Sequence, residues 1–190
     1  MLSVVAICMR AILLLISAVI LGLSVSMAKY QATGPVPAST SFSIFSGAAG
    51  FFASTVGMAA LWYDRIHIKI LFGLDTIMSF FFLAAAITIT LALKTIQSCT
   101  SRAEDAEYNR STNEILSGGC IVIDNEPVCL HCHTLDGTDL TPGRCNMARA
   151  DSAFQYVGSI LAVAMMVIAY LLSRRGRGGT PTPTRSYNQG

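Results

Sequence analysis

Charged residues are scarce in this chain. Asp, Glu, Lys and Arg together make up 13% of its 190 residues, whereas 53% of the residues are hydrophobic. A soluble domain carries about 25% charged residues, because its surface must face water. The shortage excludes an ordinary soluble globular protein and indicates that much of the outer surface faces lipid.

Signatures of common enzyme classes are also lacking. The sequence contains no nucleotide-binding glycine-rich loop, no H-E-x-x-H motif and no G-x-S-x-G motif. These patterns are typical of nucleotide-binding proteins, zinc proteases and serine hydrolases. We therefore expect a non-enzymatic protein with no cofactor and no nucleic-acid partner.

Long apolar runs are what the sequence does have. A helix that crosses the bilayer core of about 30 Å needs about 20 mainly apolar residues. Four runs meet this length, at residues 2–28, 42–63, 70–93 and 154–172, and none contains proline. Each is continuous rather than alternating, so the sequence predicts an all-α membrane protein, a four-transmembrane-helix bundle. One alternative is that the first run is a signal peptide cleaved after Ala28.

The distribution of basic residues predicts the orientation. Four arginines and no acid follow the fourth run, and the short turn 64–69 carries Arg65 and Lys69. The connection 94–151 instead holds five basic and nine acidic residues. By the positive-inside rule, both termini are cytoplasmic and residues 94–151 form a long extracytoplasmic loop between helices 3 and 4. The Arg-, Gly- and Pro-rich tail, residues 176–190, is predicted to be disordered and cytoplasmic, after a membrane domain of residues 1–175.

The predicted outer loop is rich in cysteine. An extracytoplasmic compartment favours disulfides, and an odd number leaves one thiol free or paired between chains. The loop also contains the sequon Asn109-Arg110-Ser111, so Asn109 is a candidate for N-glycosylation. The disulfide candidates are Cys99, Cys120, Cys129, Cys132 and Cys145.

A second interpretation of the loop remains open. Cys129, Cys132 and His133 fit the C-x-x-C-H pattern of covalent haem attachment. The same three residues are also possible zinc ligands. A membrane-anchored haem or metal-binding protein is therefore an alternative function.

Two charged residues lie within the predicted membrane helices. Arg10 lies in the first run and Asp75 lies near the start of the third, so both approach the membrane from the same side. Charges at that depth usually face the bundle interior and find a partner. We predict an Arg10–Asp75 ion pair, and a small transporter or channel subunit using Asp75 is a further alternative function.

Small residues at helical spacing predict close packing between the helices. Gly22 belongs to one such series in the first run, and Gly50 and Gly57 belong to two series in the second. Small residues four apart let helix backbones approach closely. We expect these glycines to lie at helix–helix contacts.

Several marker segments together resemble the MARVEL-domain proteins, in particular the fungal non-classical export protein 2 group. They are Arg10 with residues 20–23, Leu74-Asp75, Cys99 and residues 145–154. The resemblance implies a four-span protein of membrane organisation, lipid-domain association or vesicle trafficking, in the plasma membrane or secretory pathway. The partners we expect are membrane lipids, with a second copy of the protein or other membrane proteins as further candidates.

Overall fold

The computed structural model describes residues 2–62, 68–123, 126–129, 132–133 and 137–177. Four long helices and one short helix account for most of this part of the chain. They are α1 (Leu2–Lys29), α2 (Ala38–Trp62), α3 (Ile68–Ala92), α4 (Glu104–Ser111) and α5 (Thr141–Arg177). Strands β1 (Ile121–Ile123) and β2 (Glu126–Val128) form one antiparallel hairpin. All helices except α4 are long and apolar enough to cross a membrane, which confirms the predicted four-span architecture.

The interior of the bundle combines many small and polar residues with some large apolar ones, whereas many other large apolar residues are exposed on the outside. Buried positions in α1 recur at alternating steps of four and three residues, namely Ala6, Arg10, Leu13, Ser17, Ile20, Ser24 and Met27. This average period of 3.5 keeps one face of a helix turned toward its neighbours. On the opposite faces, Phe52, Phe80 and Ile160 each expose about two-thirds of their surface, at 68%, 67% and 67%. Lipid tails are the natural neighbours of such side chains.

The four long helices form a closed ring in which each packs against two neighbours. Helix α1 packs against α2 and α5, and α3 packs against the same two helices. Consequently α1 and α3 face each other across one diagonal of the bundle, and α2 and α5 across the other. We call the end with the starts of α1 and α3 the terminal end, and the opposite end the loop end.

Glycines bring the backbones of α1 and α2 close together, although not at every predicted position. A Cβ on Gly47 would lie 2.9 Å from the Leu21 backbone nitrogen, so this crossing requires glycine. The prediction for Gly22 is wrong, because it is exposed and a Cβ there would meet no atom within 4 Å. Gly22 lies on the lipid-facing side of α1, whereas Gly50 and Gly57 are buried.

The fourth membrane helix begins earlier than predicted. It starts at Thr141 instead of residue 154, and its 37 residues extend for about 55 Å at 1.5 Å per residue. That is much longer than the bilayer core of about 30 Å. The connection between α3 and α5 therefore ends at residue 140, not 151. It contains α4 and the hairpin, and we call residues 93–140 the cap. The predicted tail from residue 178 onward lies outside the described residues.

The described part of the cap is packed onto the loop end of the bundle. A buried apolar cluster joins cap residues such as Ile96, Ile115 and Leu116 to Met27 of α1 and Ala148 of α5. Backbone carbonyls at the end of α3 and in the segment that follows it accept hydrogen bonds in this region. The Asn113 side chain donates to the Ala92 carbonyl at 2.7 Å, and the Arg149 guanidinium donates to the Ile96 carbonyl at 2.9 Å. The cap is thus a folded extension of the bundle.

The α1–α2 connection is hydrogen-bonded to the cap. The Ala32 amide donates to the Gly118 carbonyl at 2.8 Å. Gly119 follows with a φ of 101°, a backbone conformation that glycine adopts without strain. A Cβ at Gly119 would collide with the Thr33 carbonyl oxygen. Glycine is required here because two backbones meet.

Candidate functional site: two polar cross-links inside the bundle

The first cross-link joins α1 to α3 near the terminal end. The Arg10 guanidinium donates two parallel hydrogen bonds to the Asp75 carboxylate, at 2.5 Å to Oδ1 and 2.6 Å to Oδ2. Arg10 is 3% exposed and Asp75 is 2% exposed. A bidentate guanidinium–carboxylate pair fixes orientation as well as distance. It therefore fixes the two helices that face each other across one diagonal.

Gly57 of α2 makes room for this pair. A Cβ at Gly57 would lie 2.7 Å from Arg10 Cζ and 2.7 Å from Arg10 Nε. A larger residue at this position would require the guanidinium to shift. The structure thus brings together three of the residues that the sequence singled out, from three different helices.

The second cross-link joins α2 to α5 nearer the loop end. The Ser43 hydroxyl donates to Asp151 Oδ2 at 2.5 Å, and the Gln155 side-chain amide donates to Ser43 Oγ at 2.5 Å. Ser24 of α1 joins this network, with its Oγ 2.6 Å from Ser43 Oγ. Ser46 Oγ lies 3.1 Å from Gln155 Oε1. All five residues are buried, so the network crosses the second diagonal within the protein interior.

Phe82 fills the space between the two cross-links. Its side chain is 1% exposed and lies between Gly50 of α2 and Gly158 of α5. A Cβ at Gly50 would collide with the Phe82 ring and lie 2.7 Å from Ser17 Oγ. The space between the Arg10–Asp75 pair and Phe82 is a cavity of about 10 Å³. That is room for one water molecule at most.

Buried polar atoms in the bundle are almost all satisfied. In the described ranges, Ser39 Oγ is the one buried side-chain oxygen or nitrogen without a hydrogen-bond partner. An unpaired polar group away from water costs free energy, because it loses its hydrogen bonds to solvent. The polar interior is therefore consistent with a stable bundle.

Two disulfides tie the cap. Cys99, just after α3, is bonded to Cys145 of α5, with their Cα atoms 5.5 Å apart. Cys120 is bonded to Cys129, with their Cα atoms 4.1 Å apart. The second bond continues the hairpin register, since Ile121 already pairs with Val128. Of the five predicted candidates, Cys132 is left as a free, buried thiol.

Two described residues of the C-x-x-C-H segment have other partners. Cys129 is committed to the bond with Cys120, and His133 Nε2 lies 3.3 Å from Glu107 Oε1. Within the described ranges, no three His, Cys, Asp or Glu side chains converge as metal ligands would. His131 lies outside those ranges.

Arg110 organises the cap beside the start of α5. This 2% exposed side chain donates to the Ser101 carbonyl at 2.7 Å, to Thr141 Oγ1 at 3.1 Å and to Asp139 Oδ2 at 3.2 Å. Burial alone would raise the pKa of Asp139. Hydrogen bonds from Thr141 and Arg110 outweigh that effect and hold the pKa below its usual value. Asn109, next to Arg110, is exposed on α4.

Sequence reasoning missed several of these residues. Neither Asp151, at the end of the predicted loop, nor Gln155, in an uncharged run, is a predicted site residue. Their signal was the serines of α1 and α2, whose heptad-like spacing marks a polar face toward a partner. In the sequence-based predictions, Arg110 appears only as the middle residue of the Asn109 sequon.

Comparison with protein families matches residues 3–168 to MARVEL, described as a membrane-associating domain. No curated protein and no solved structure gave a significant match, so the fungal export group has no support beyond the marker residues. The family match covers most of the chain, including all four spans and both polar cross-links. The chain therefore belongs to the MARVEL family and is a multi-pass membrane protein associated with membrane apposition or organisation.

Proposed function

We propose that this protein organises lipids around a rigid, non-enzymatic four-helix bundle and presents a disulfide-tied cap to partners outside the cytoplasm. The observation that carries the proposal is the distribution of side chains. Many large apolar groups are exposed on the outside of the spans, while the interior is closed by paired polar groups and by an apolar cluster around Phe82. Such a molecule has a fixed shape and an extensive lipid surface, which suits lipid-domain association or vesicle trafficking.

The transporter alternative is less well supported by the interior. A pathway for an ion needs a series of polar sites with space between them. Here the Asp75 carboxylate is engaged by Arg10, and the adjoining cavity holds one water at most. We therefore infer that Asp75 supports the bundle instead of carrying an ion.

The haem alternative is opposed by the Cys120–Cys129 bond. A thioether linkage to haem would need the Cys129 sulfur that this disulfide already uses. Visible absorbance of the purified protein tests the alternative directly. A Soret band that is lost in Cys129→Ser would favour the haem protein over the organiser.

We further propose that both termini are cytoplasmic and that the cap lies outside. Two disulfides in the cap support this orientation, because such bonds persist in oxidising compartments. The arginines after the fourth span support it as well. In this arrangement residues 176–190 form a cytoplasmic tail next to anionic headgroups, and the protein resides in plasma or secretory-pathway membranes.

The first test of the proposal is partitioning between lipid phases. Labelled full-length protein is reconstituted into giant vesicles with coexisting ordered and disordered phases, and its distribution is measured by fluorescence. We expect a clear preference for one phase, which shifts when Phe52, Phe80 and Ile160 are together replaced by alanine. Tyr108→Ala, an equally exposed cap position outside the spans, is the matched control and leaves the distribution unchanged. Equal partitioning of the wild-type protein would contradict lipid organisation as its function.

The second test addresses orientation. A C-terminal tag is assayed by protease protection in sealed vesicles, and glycosidase treatment is compared for wild type, Asn109→Gln and Ser111→Thr. We expect a digested tag, a protected cap and a glycan that Asn109→Gln removes and Ser111→Thr retains. A protected tag with a digested cap would reverse the proposed topology.

A further inference from the structure

Three cysteine sulfurs lie near one another at the base of the cap hairpin. The carbonyl oxygen of Ser111 is 3.8 Å from Cys120 Sγ and 3.6 Å from Cys132 Sγ. Because both distances end on the same oxygen, the Cys120 and Cys132 sulfurs are at most about 7.4 Å apart. Cys120 is already bonded to Cys129. A free thiol is thus held beside a disulfide.

The two disulfides differ in accessibility. Cys99 and Cys145 are 3% and 0% exposed, within the apolar cluster of the loop end. Cys120 and Cys129 are only half-buried. A sulfur that leaves the second disulfide would therefore be reachable from solvent, whereas the first disulfide is shielded.

We propose that Cys132 is a resident attacking thiol that rearranges the hairpin disulfide from Cys120–Cys129 to Cys120–Cys132. The Cys132 thiol loses its proton, and the thiolate attacks Cys120 Sγ. A Cys120–Cys132 bond forms, the Cys120–Cys129 bond breaks, and the Cys129 thiolate takes up a proton. The number of disulfides stays the same, so the step needs no oxidant or reductant.

The resting form restrains this exchange. Cys132 is 1% exposed, and its sulfur lies 3.6 Å from the Ser117 carbonyl. Burial raises the pKa of the Cys132 thiol, although the nearby Arg144 opposes the effect and Asp139 adds to it. Since the thiolate is the nucleophile, the exchange is slow at neutral pH and accelerates in alkali.

The exchange would alter the cap where it meets α5. The carbonyl of Cys132 accepts a hydrogen bond from the Leu140 amide at 2.8 Å, and His133 forms a backbone bridge with Asp139. Asp139 in turn accepts from the Thr141 amide at 2.8 Å at the start of α5. Moving Cys132 toward Cys120 would strain the hydrogen bonds that link residues 132–133 to residues 139–140 before α5. The rearranged cap would therefore have a second conformation with a different surface.

Native alkylation of the full-length protein in lipid nanodiscs tests the exchange. N-ethylmaleimide is added at pH 7 and at pH 8.5, and the reaction is quenched with acid. Trypsin then releases residues 111–144 as one peptide containing all three cysteines, and tandem mass spectrometry locates the label. Glutathione in a parallel sample reports the activity of the reagent, because Cys8 lies in the membrane span of α1.

The expected label lies on Cys129, because exchange exposes that thiol while Cys132 becomes bonded. Labelling should be faster at pH 8.5, by about tenfold per pH unit while the thiol remains mostly protonated. In Cys132→Ala, neither of the two remaining sulfurs, Cys120 and Cys129, should be labelled, and the shielded Cys99–Cys145 bond reports that this variant is folded. Label on Cys132 or Cys120, or no label in this peptide while glutathione in the parallel sample reacts, would overturn the proposal. None of these outcomes depends on the proposed lipid function.

Discussion

Replacing Arg10 by methionine should strongly destabilise the bundle, and a second replacement should restore it. Arg10→Met removes both charge-assisted hydrogen bonds to Asp75, at 2.5 and 2.6 Å, and leaves the carboxylate in an apolar interior. Asp75→Leu has the converse effect on the guanidinium. The double variant removes both charges and keeps side chains of moderate size.

The expected magnitude follows from the burial of both partners. Each residue is at most 3% exposed, and breaking one side of a buried ion pair costs about 3–5 kcal/mol. Replacing the whole pair by apolar residues is often neutral or stabilising. The double variant should therefore be close to wild type, with a coupling energy of about 3 kcal/mol or more. An ordinary hydrogen bond between membrane helices contributes only about 0.6 kcal/mol.

The assay is a double-mutant cycle on reversible unfolding in mixed micelles, followed by circular dichroism as the fraction of denaturing detergent increases. Gly57→Ala adds an independent arm, because its Cβ would lie 2.7 Å from Arg10 Cζ. It should cost about 1–3 kcal/mol in the wild type by overpacking, and less once Arg10 is methionine. A coupling energy below about 1 kcal/mol between Arg10 and Asp75 would refute the reasoning, as would a double variant less stable than either single one.

Three further predictions concern other parts of the molecule. Gly50→Ala should lower the free energy of unfolding by about 1–3 kcal/mol because the added methyl group overpacks Phe82. In the same micelle assay, Gly22→Ala should be neutral. Equal effects of the two substitutions would contradict the packing. Ser43→Ala should cost about 1–3 kcal/mol, since it leaves neighbouring buried polar groups unsatisfied; full stability would refute the second cross-link. The pKa of Asp139 lies below its ordinary value, so its stabilisation of the cap is present above about pH 4 and is lost as pH falls through the folded pKa. Proteolysis of the cap should rise only in acid, and Asp139→Asn should be sensitive at neutral pH as well; a cap that loosens between pH 7 and 5 would contradict this.

The membrane spans could be predicted because simple properties of the sequence define a membrane helix. Length and apolarity determine whether a segment can cross the bilayer. The four predicted runs coincide with the four long helices, except that Leu93 follows α3 and Tyr63 lies outside the described residues. The start of α5 could not be predicted in the same way. Residues 141–153 include Arg144, Arg149 and Asp151, which argue against a membrane segment. Their helical structure is stabilised by the Cys99–Cys145 bond and by the hydrogen bond that the Thr141 amide donates to the Asp139 carboxylate at the start of α5.

The sequence indicates few of the contacts between residues that are distant along the chain. Cys99 and Cys145 are 46 residues apart, and nothing local indicates that the end of α3 meets the start of α5. The same holds for Ser43 and Asp151, which belong to helices that are not neighbours in the ring. Arg10 and Asp75 were an exception, because two opposite charges at similar depth leave few other partners.

The placement of the two polar cross-links suggests how a bundle of this kind obtains a single shape. In lipid, apolar helix faces gain little by choosing one another, because lipid tails are equally good neighbours. Contacts between adjacent helices, made by small residues, therefore specify the helix order only weakly. The Arg10–Asp75 pair and the Ser43–Asp151 network instead join the helices that are not adjacent. Once both diagonals are joined, one toward each end of the bundle, rearranging the ring would break at least one buried polar contact. The proposed function depends on a fixed shape, and therefore needs this kind of specificity more than it needs additional stability.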